Sequence, residues 1–175
     1  MASEIRRKLL YEKTIKNGGD AGITLASLAA GAWRQFVKLD LCAAGTPFPC
    51  EMEVRIQAEP ISAPTAGKPI QFFFGFSSSV TAGTGNPANL VGTDSAYVGY
   101  GAAAADADEC MGQLIEARPL IVSADAAVQV AAWSGPYTIH DRYLVGAVRN
   151  GMAVTLSATE ASHVVTVRVY TYESQ

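Results

Sequence analysis

Charged residues are scarce in this sequence: only 17% of its 175 residues are Asp, Glu, Lys or Arg, against about 25% in a typical globular domain. The hydrophobic share is 49% and the formal net charge is −3. A surface so short of charge favours a domain that is covered by other protein. The weak acidic charge supplies no field that would attract nucleic acid or an anionic membrane, so we expect neither as a partner.

Long apolar runs are also missing. No stretch reaches the roughly 18 apolar residues that a membrane helix needs. The start, MASEIRRKLLYEK, lacks the apolar segment and the cleavage site of a signal peptide. We therefore expect synthesis in a reducing cytoplasm.

Cysteine is rare, and its spacing fits no metal site. Cys42, Cys50 and Cys110 form neither a CxxC pair nor a zinc pattern. Cys42 and Cys50 flank the short stretch AAGTPFP and are close enough in sequence to pair, but a reducing compartment favours free thiols.

Residues for catalysis are few. The two histidines are His140 and His163, and Asp141 follows the first of them, but no GxSxG elbow or other nucleophile signature accompanies them. The carboxylates of DADE, residues 106–109, lack the spacing and glycine of an EF-hand, which favours a solvated acidic turn over a calcium site. We expect no catalytic residue, metal or cofactor. An enzyme would need His140 and Asp141 in a pocket with a nucleophile.

Glycine is concentrated in residues 81–101, TAGTGNPANLVGTDSAYVGYG. Gly83 and Gly85 match the start of a GxGxxG fingerprint, but Ala88 stands at its third position and no GK[ST] ending of a P-loop follows, so a phosphate-binding loop is excluded. A long glycine-rich excursion between strands is more often a surface loop that makes contacts. Tyr97 and Tyr100 are either anchors in a partner interface or ordinary packing of the loop on its own domain.

Strand patterns dominate the rest of the chain. EMEVRIQAE, residues 51–59, alternates strictly between apolar and polar side chains, as a strand with one wet face does. PIQFFFGF (69–76) and SHVVTVRVYTYE (162–173) are aromatic and β-branched, which is typical of buried strands. Weaker candidate strands are residues 23–31, 33–42, 112–122, 126–133, 142–150 and 152–158, with Asn150-Gly151 predicting a hairpin between the last two.

About nine short strands, separated by turn signals, predict an all-β fold: an antiparallel β-sandwich, with one short helix in AAAADADECMGQL, residues 102–114. We assign residues 21–175 to the sandwich and residues 1–20 to an N-terminal arm. The arm holds five of the 13 basic residues against three acids, and we expect it to be solvated or to clasp a neighbouring subunit. In the last strand, Arg168, Tyr170 and Tyr172 share one face, but the acidic body argues against nucleic acid there.

Several segments together resemble a family of tailed-bacteriophage head decoration, or cement, proteins. They are the SEIRRK arm, ITLASLAAGAWRQFVKLDL, the central PTAGKPIQFFFGFSSSVTAGTGNPANLVGTDSAYVGY and HDRYLVGAVRNG before the final strand. The resemblance covers most of the chain, and residues 64–100 are its most specific part.

The resemblance implies a jelly-roll-like sandwich without catalytic residues that self-associates, as a dimer or trimer, and bridges major capsid subunits. The protein would then be located on the capsid exterior, in a virion assembled in a bacterial host. The arm and the glycine-rich loop supply the contacts, and many weak copies on a symmetric lattice bind firmly. The candidate contact residues are Arg6, Arg7, Lys8, Asn86, Tyr97 and Tyr100. A variant lacking both tyrosine side chains is expected to fold normally.

An alternative is a phage tail, neck or fibre component, with carbohydrate binding as a further option. Exposed Trp33 or Trp133 beside carboxylates would favour it, because aromatic rings stack on sugars.

Overall fold

Two antiparallel sheets face each other in the computed structural model, which describes residues 4–42, 47–101 and 104–174. The strands are β1 (Ile5–Ile15), β2 (Trp33–Gln35), β3 (Leu39–Asp40), β4 (Glu51–Ala58), β5 (Pro69–Ser77), β6 (Ser95–Ala96), β7 (Ile115–Glu116), β8 (Leu120–Ile121), β9 (Gln129–Val130), β10 (Ser134–Thr138), β11 (Tyr143–Asn150) and β12 (Val164–Ser174). One short helix, α1 (Ala104–Glu109), and single turns of 3₁₀ helix at Pro87–Asn89, Met111–Gln113 and Glu160–Ser162 complete the described elements. The predicted β-sandwich and its short helix are confirmed.

The strand order is that of a jelly roll. Sheet A has the order β1-β12-β4-β10, with β9 beside β4, and sheet B has the order β6-β2-β11-β5-β7, with β3 beside β11 and β8 beside β5. The first and last strands are therefore neighbours in one sheet, and the second strand lies beside the next-to-last strand in the other. This interleaving of two Greek keys is the jelly-roll arrangement.

The main core lies between the sheets and follows the period-two pattern of the long strands. In β4, Met52, Val54 and Ile56 are buried while the residues between them are only half-buried. Phe72 and Phe74 of β5 meet them from sheet B, with ring centroids 5.8 Å apart. Alternation in the sequence therefore predicted correctly which face of β4 points inward.

Sheet B is buried on its second face as well, which explains why β5 and β11 read as almost continuous apolar runs. Phe73, Val145 and Ala147 point away from the main core and join Trp33 and Tyr97 in a second cluster. Residues 86–101 and 104–114 cover this outer face. The packing is close, because a side chain on Gly75 would place its Cβ 2.5 Å from Pro87.

The predicted N-terminal arm, residues 1–20, needs correction where it is described. Residues 5–15 form the edge strand β1, which pairs with β12 from Ile5 opposite Ser174 to Ile15 opposite Val165. The side chains of residues 5–15 point alternately to the two faces of the sheet, as in any β-strand. The segment is therefore the edge strand of sheet A and does not extend away from the sandwich.

Two of the weaker predicted strands are wrong for a shared reason: their backbone groups bind side chains. The amides of Leu25 and Ala26, in the predicted strand 23–31, donate to the Glu160 carboxylate at 3.0 and 2.9 Å. At the predicted Asn150-Gly151 hairpin, the side-chain amide of the buried Asn150 donates to the main-chain carbonyl oxygens of Leu28 and Val154, both at 2.9 Å. The side chain thus ties three chain segments together, and residues 152–158 form no strand.

Candidate functional site

A loop tip, residues 78–85, follows the end of β5 and overlaps the start of the glycine-rich region. A lysine organises it. The Lys38 ammonium lies 2.8 Å from the carbonyl oxygens of Ser79 and Thr81, 3.2 Å from that of Thr84 and 3.1 Å from the Ser77 hydroxyl. An ammonium has three protons, so four oxygens share them. Burial lowers the pKa of Lys38, and the loop is wrapped around a cation supplied by the chain itself.

The second half of the glycine-rich region is held equally firmly. The Asn86 amide donates to the carbonyl oxygen of Leu90 at 2.7 Å, and the Val91 amide donates to Gln35 Oε1 at 2.8 Å. Asn89 donates to the carbonyl oxygen of Gly99 at 2.5 Å. These bonds make Asn86 a structural residue of the segment that covers sheet B.

Tyr97 is buried, which corrects its prediction as a partner anchor. Its side chain is 2% exposed, and its hydroxyl donates to the carbonyl oxygen of Ala88 at 2.7 Å. The ring contacts Trp33 edge-on at 5.8 Å, and burial raises the pKa of its hydroxyl. The alternative interpretation, packing of the loop on its own domain, is the right one for this residue.

Tyr100, by contrast, is 67% exposed. It stands beside a cavity of about 390 Å³ at the α1 end of the covering segment. The cavity is lined by Tyr100, Gly101, Asp106, Glu109, Cys110 and Gln113. This lining brings together two carboxylates, a thiol and an amide, but neither histidine, so it does not assemble the base that a hydrolytic triad requires.

Arg6, Arg7 and Lys8 lie on the other side of the sandwich, at the free end of β1. Arg7 reaches across β12 to Glu51 and Glu53 at 3.0 and 2.9 Å, and its guanidinium lies 3.6 Å above the Tyr170 ring. Lys8 pairs with Glu173, and Arg6 with Glu4, each at 2.7 Å. The basic residues are therefore largely neutralised within the chain.

The same charge pairing sets the ionisation of Glu53. Its partial burial opposes ionisation, but hydrogen bonds from Tyr170 and Arg7 outweigh that effect, so the pKa of Glu53 lies below its ordinary value. The carboxylate stays charged, and Arg7 and Tyr170 remain fixed against it.

Trp133 completes an aromatic and arginine-rich patch on the outer face of sheet A. From the sequence, Trp133 is a candidate for stacking on sugars, and its arginine partners are not predicted. Its half-buried ring lies 4.1 Å from the Arg168 guanidinium and 4.7 Å from that of Arg55. We call Trp133, Arg55, Arg168, Tyr170 and Tyr172 the outer patch. Trp33, the other proposed sugar platform, is buried in the second cluster, and the ring of Trp133 is stacked against two guanidinium groups.

The remaining candidate groups are dispersed. His163 is fully buried: its Nδ1 accepts from the Glu59 amide at 3.3 Å and its Nε2 lies 3.0 Å from the carbonyl oxygen of Ser157. His140 is exposed, with its ring 5.8 Å from Phe76. Within residues 4–42, 47–101 and 104–174, no cluster of His, Cys, Asp and Glu could hold a metal ion, and all three cysteines are free.

The structure thus separates the predicted contact residues into two groups. Arg6, Arg7 and Lys8 belong to the sheet A side, and Asn86 and Tyr100 to the segment that covers sheet B. Among the described helices, none is long and apolar enough to cross a membrane. The fold defines the class as an all-β jelly-roll sandwich; no family model, curated protein or solved structure matches the chain.

Proposed function

We propose that this protein is a structural component of a bacteriophage virion, which decorates and stabilises the head by bridging major capsid subunits on its exterior. The outer patch is the observation that carries the proposal. It presents Trp133, Tyr170 and Tyr172 with arginines stacked on or beside them, and protein interfaces are enriched in these three residue types. The sequence resemblance to head decoration proteins points to the same role.

The outer patch and Tyr100 lie on opposite sides of the sandwich, and this arrangement supports bridging. The outer patch faces away from the core on sheet A, and Tyr100 projects from the segment that covers the opposite sheet. A body with contact surfaces on opposed sides can touch two neighbouring subunits at once. Repeated over a symmetric shell, such contacts give firm binding without a large affinity at either one.

The role is structural and not catalytic in this proposal. Polar groups of the outer patch are held by neighbouring carboxylates: Arg168 pairs with Glu12 at 2.9 Å, and the Tyr170 hydroxyl donates to Glu53 at 2.7 Å. Such pre-arranged side chains form a rigid contact surface whose rotamers are already restricted before binding. The tail or fibre alternative is less well supported, because Trp33 is buried and the ring of Trp133 is already stacked against Arg55 and Arg168.

The test is co-sedimentation of purified protein with expanded phage heads that lack a decoration protein, scored as copies bound per shell. We expect saturation at a number fixed by the lattice. Tyr172→Ala and Tyr100→Ala, at side chains 46% and 67% exposed, should each lower the occupancy, whereas Ile61→Ala, at a site 60% exposed away from both groups, should not. Absence of binding to heads, with the protein found in isolated tails, would overturn the proposal.

A further inference from the structure

The edge strand β1 differs from every other described sheet edge. Sheet B ends in strands of two residues, β6 on one side and β7 and β8 on the other. On the far side of sheet A, β10 has five residues, contains Pro136 and shifts register against β4. Short strands, prolines and irregular pairing protect edges from joining other sheets. β1 is 11 residues long and, among described strands, pairs only with β12.

Among residues 4–42, 47–101 and 104–174, contacts to the outer side of β1 are found at its C-terminal end. The Thr14 amide donates to Asp20 at 2.7 Å, and its carbonyl oxygen accepts from the Ala21 amide at 3.2 Å. Thr14 therefore directs its main-chain groups away from β12. In an antiparallel pair this direction repeats at every second residue, so Glu12 directs its main-chain groups outward as well.

Main-chain groups on the N-terminal side of the bulge between Leu9 and Tyr11 also point away from β12 at every second residue. Tyr170, opposite Leu9, uses its carbonyl oxygen to accept from the Cys50 amide on the β4 side. Leu9 consequently points its own main-chain groups outward, and so do Arg7 and Ile5 at the two-residue period. Four positions of an open edge, Ile5, Arg7, Leu9 and Glu12, thus offer donors and acceptors to another strand.

We propose that this edge pairs antiparallel with β1 of a second copy of the chain, about a twofold axis through Leu9, so that the two A sheets become one. Leu9 then lies opposite Leu9 of the second copy. Leu10 is the extra residue of the bulge and has no partner of its own in the ladder. Counted in ladder positions, Arg7 therefore lies two places before Leu9, and Glu12 lies two places after it. Each Arg7 therefore lies opposite a Glu12 of the second copy.

Charge favours this register over one centred on Arg7. A twofold axis through Arg7 would place Arg7 opposite Arg7 and Arg6 opposite Lys8, and like charges directly opposite each other destabilise a sheet. The axis through Leu9 gives two Arg7–Glu12 pairs of opposite charge beside two Arg6–Lys13 pairs of like charge, whereas every charged pair about an axis through Arg7 is of like charge. It also removes from water the exposed part of Leu9, which is 47% exposed as a monomer.

Such a self-complementary edge gives a closed dimer, because the same surface is used by both copies. The basic residues of β1, predicted as an arm that clasps a neighbour, would then specify the alignment of two edges. This inference concerns self-association alone and does not depend on head decoration.

Sedimentation equilibrium of the wild-type chain tests the proposal, and a concentration-dependent dimer is expected. Leu9→Arg places two arginines opposite each other and should weaken the dimer about tenfold or more. Val80→Arg, at a side chain 74% exposed on the loop tip, is the matched control and should leave the dimer unchanged. A wild-type monomer at all attainable concentrations, or an oligomer indifferent to Leu9→Arg, would overturn the proposal.

Cysteine cross-linking tests the register independently of any loss of stability. Paired residues of an antiparallel ladder lie within the Cα separation that a disulfide spans, so Leu9→Cys should form a covalent dimer under mild oxidation. Ile5→Cys, although at a more exposed site (72%), should not, because it lies opposite the covered Thr14. Equal cross-linking by both variants, relative to the wild-type chain with its native cysteines, would contradict the Leu9 axis.

Discussion

Lys38 and Thr81 are 43 residues apart in the chain, yet the Lys38 ammonium lies 2.8 Å from the Thr81 carbonyl oxygen. The loop tip that follows β5 is therefore closed around a charge rather than left open. Lysine ammonium groups bind as compact point charges with several donors, which suits a turn whose carbonyl oxygens converge.

Replacing that charge should loosen the loop without unfolding the sandwich. In Lys38→Met, the amides of residues 79–84 should exchange hydrogen about tenfold faster or more, since local opening no longer breaks bonds to a cation. Lys68→Met is the control, because Lys68 is exposed. Hydrogen exchange read by mass spectrometry measures both variants, and unaltered exchange in Lys38→Met would rule out the caging role.

The two tyrosines of the glycine-rich region should behave differently. Tyr97→Phe loses the bond to the carbonyl oxygen of Ala88 and should destabilise the fold by about 1 kcal/mol, and Tyr97→Ala should cost about 3–5 kcal/mol through the cavity it leaves. Tyr100→Ala should change stability by less than about 0.5 kcal/mol. Urea unfolding measures all three. We therefore expect the double alanine variant to be destabilised by about as much as Tyr97→Ala alone, whereas the sequence predicted normal folding.

A glycine in β11 leaves room for the neighbouring strand β5 and for the Phe36 ring. A side chain on Gly146 would place its Cβ 2.1 Å from the Phe73 carbonyl oxygen and 2.9 Å from the Phe36 ring. Gly146→Ala should therefore destabilise by about 1–3 kcal/mol. Gly112→Ala, which meets nothing within 4 Å, should be close to neutral in thermal unfolding. Similar midpoints for the two variants would show that β11 has more room than this geometry allows.

The ion pair between Asp40 and Arg142 should give stability a specific pH dependence. Two hydrogen bonds from Arg142, at 3.0 and 2.7 Å, lower the pKa of Asp40. A carboxyl group whose pKa is lower in the folded state stabilises the fold above its unfolded pKa, and that contribution is lost as the pH falls through the folded value. Asp40→Asn should therefore be less stable than wild type near neutral pH, and the difference should vanish in strong acid.

Urea unfolding of both proteins between about pH 7 and pH 2 measures this convergence. Asp141→Asn serves as the control, because Asp141 forms no ion pair with any residue in the described part of the chain. A wild-type advantage over Asp40→Asn that persists at the acid end would be inconsistent with the ion pair as its source.

Local periodicity predicted the parts of the fold that depend on neighbours in sequence. The alternation of Met52, Val54 and Ile56 and the β-branched run of β12 identified long strands and the inward face of β4. The short helix near residues 104–109 followed from alanine propensity. These signals are local, so a single sequence carries them.

The rest depends on partners far along the chain. Glu160 binds the amides of Leu25 and Ala26 across 135 and 134 residues, and no window of sequence contains both groups. Tyr97 and Tyr100 have almost the same local setting, yet one is buried and one exposed, because only the first lies over Trp33. The outer patch likewise joins Trp133 to arginines of two other strands.

The pairing of the first strand with the last has a consequence for biosynthesis. The Arg168–Glu12 pair joins residues 156 positions apart, so β1 leaves the ribosome long before its neighbour exists. Chains are made at about 5–20 residues per second, and throughout that interval the edge of β4 that β12 will occupy is also vacant. Sheet A can therefore close only after translation has passed β12.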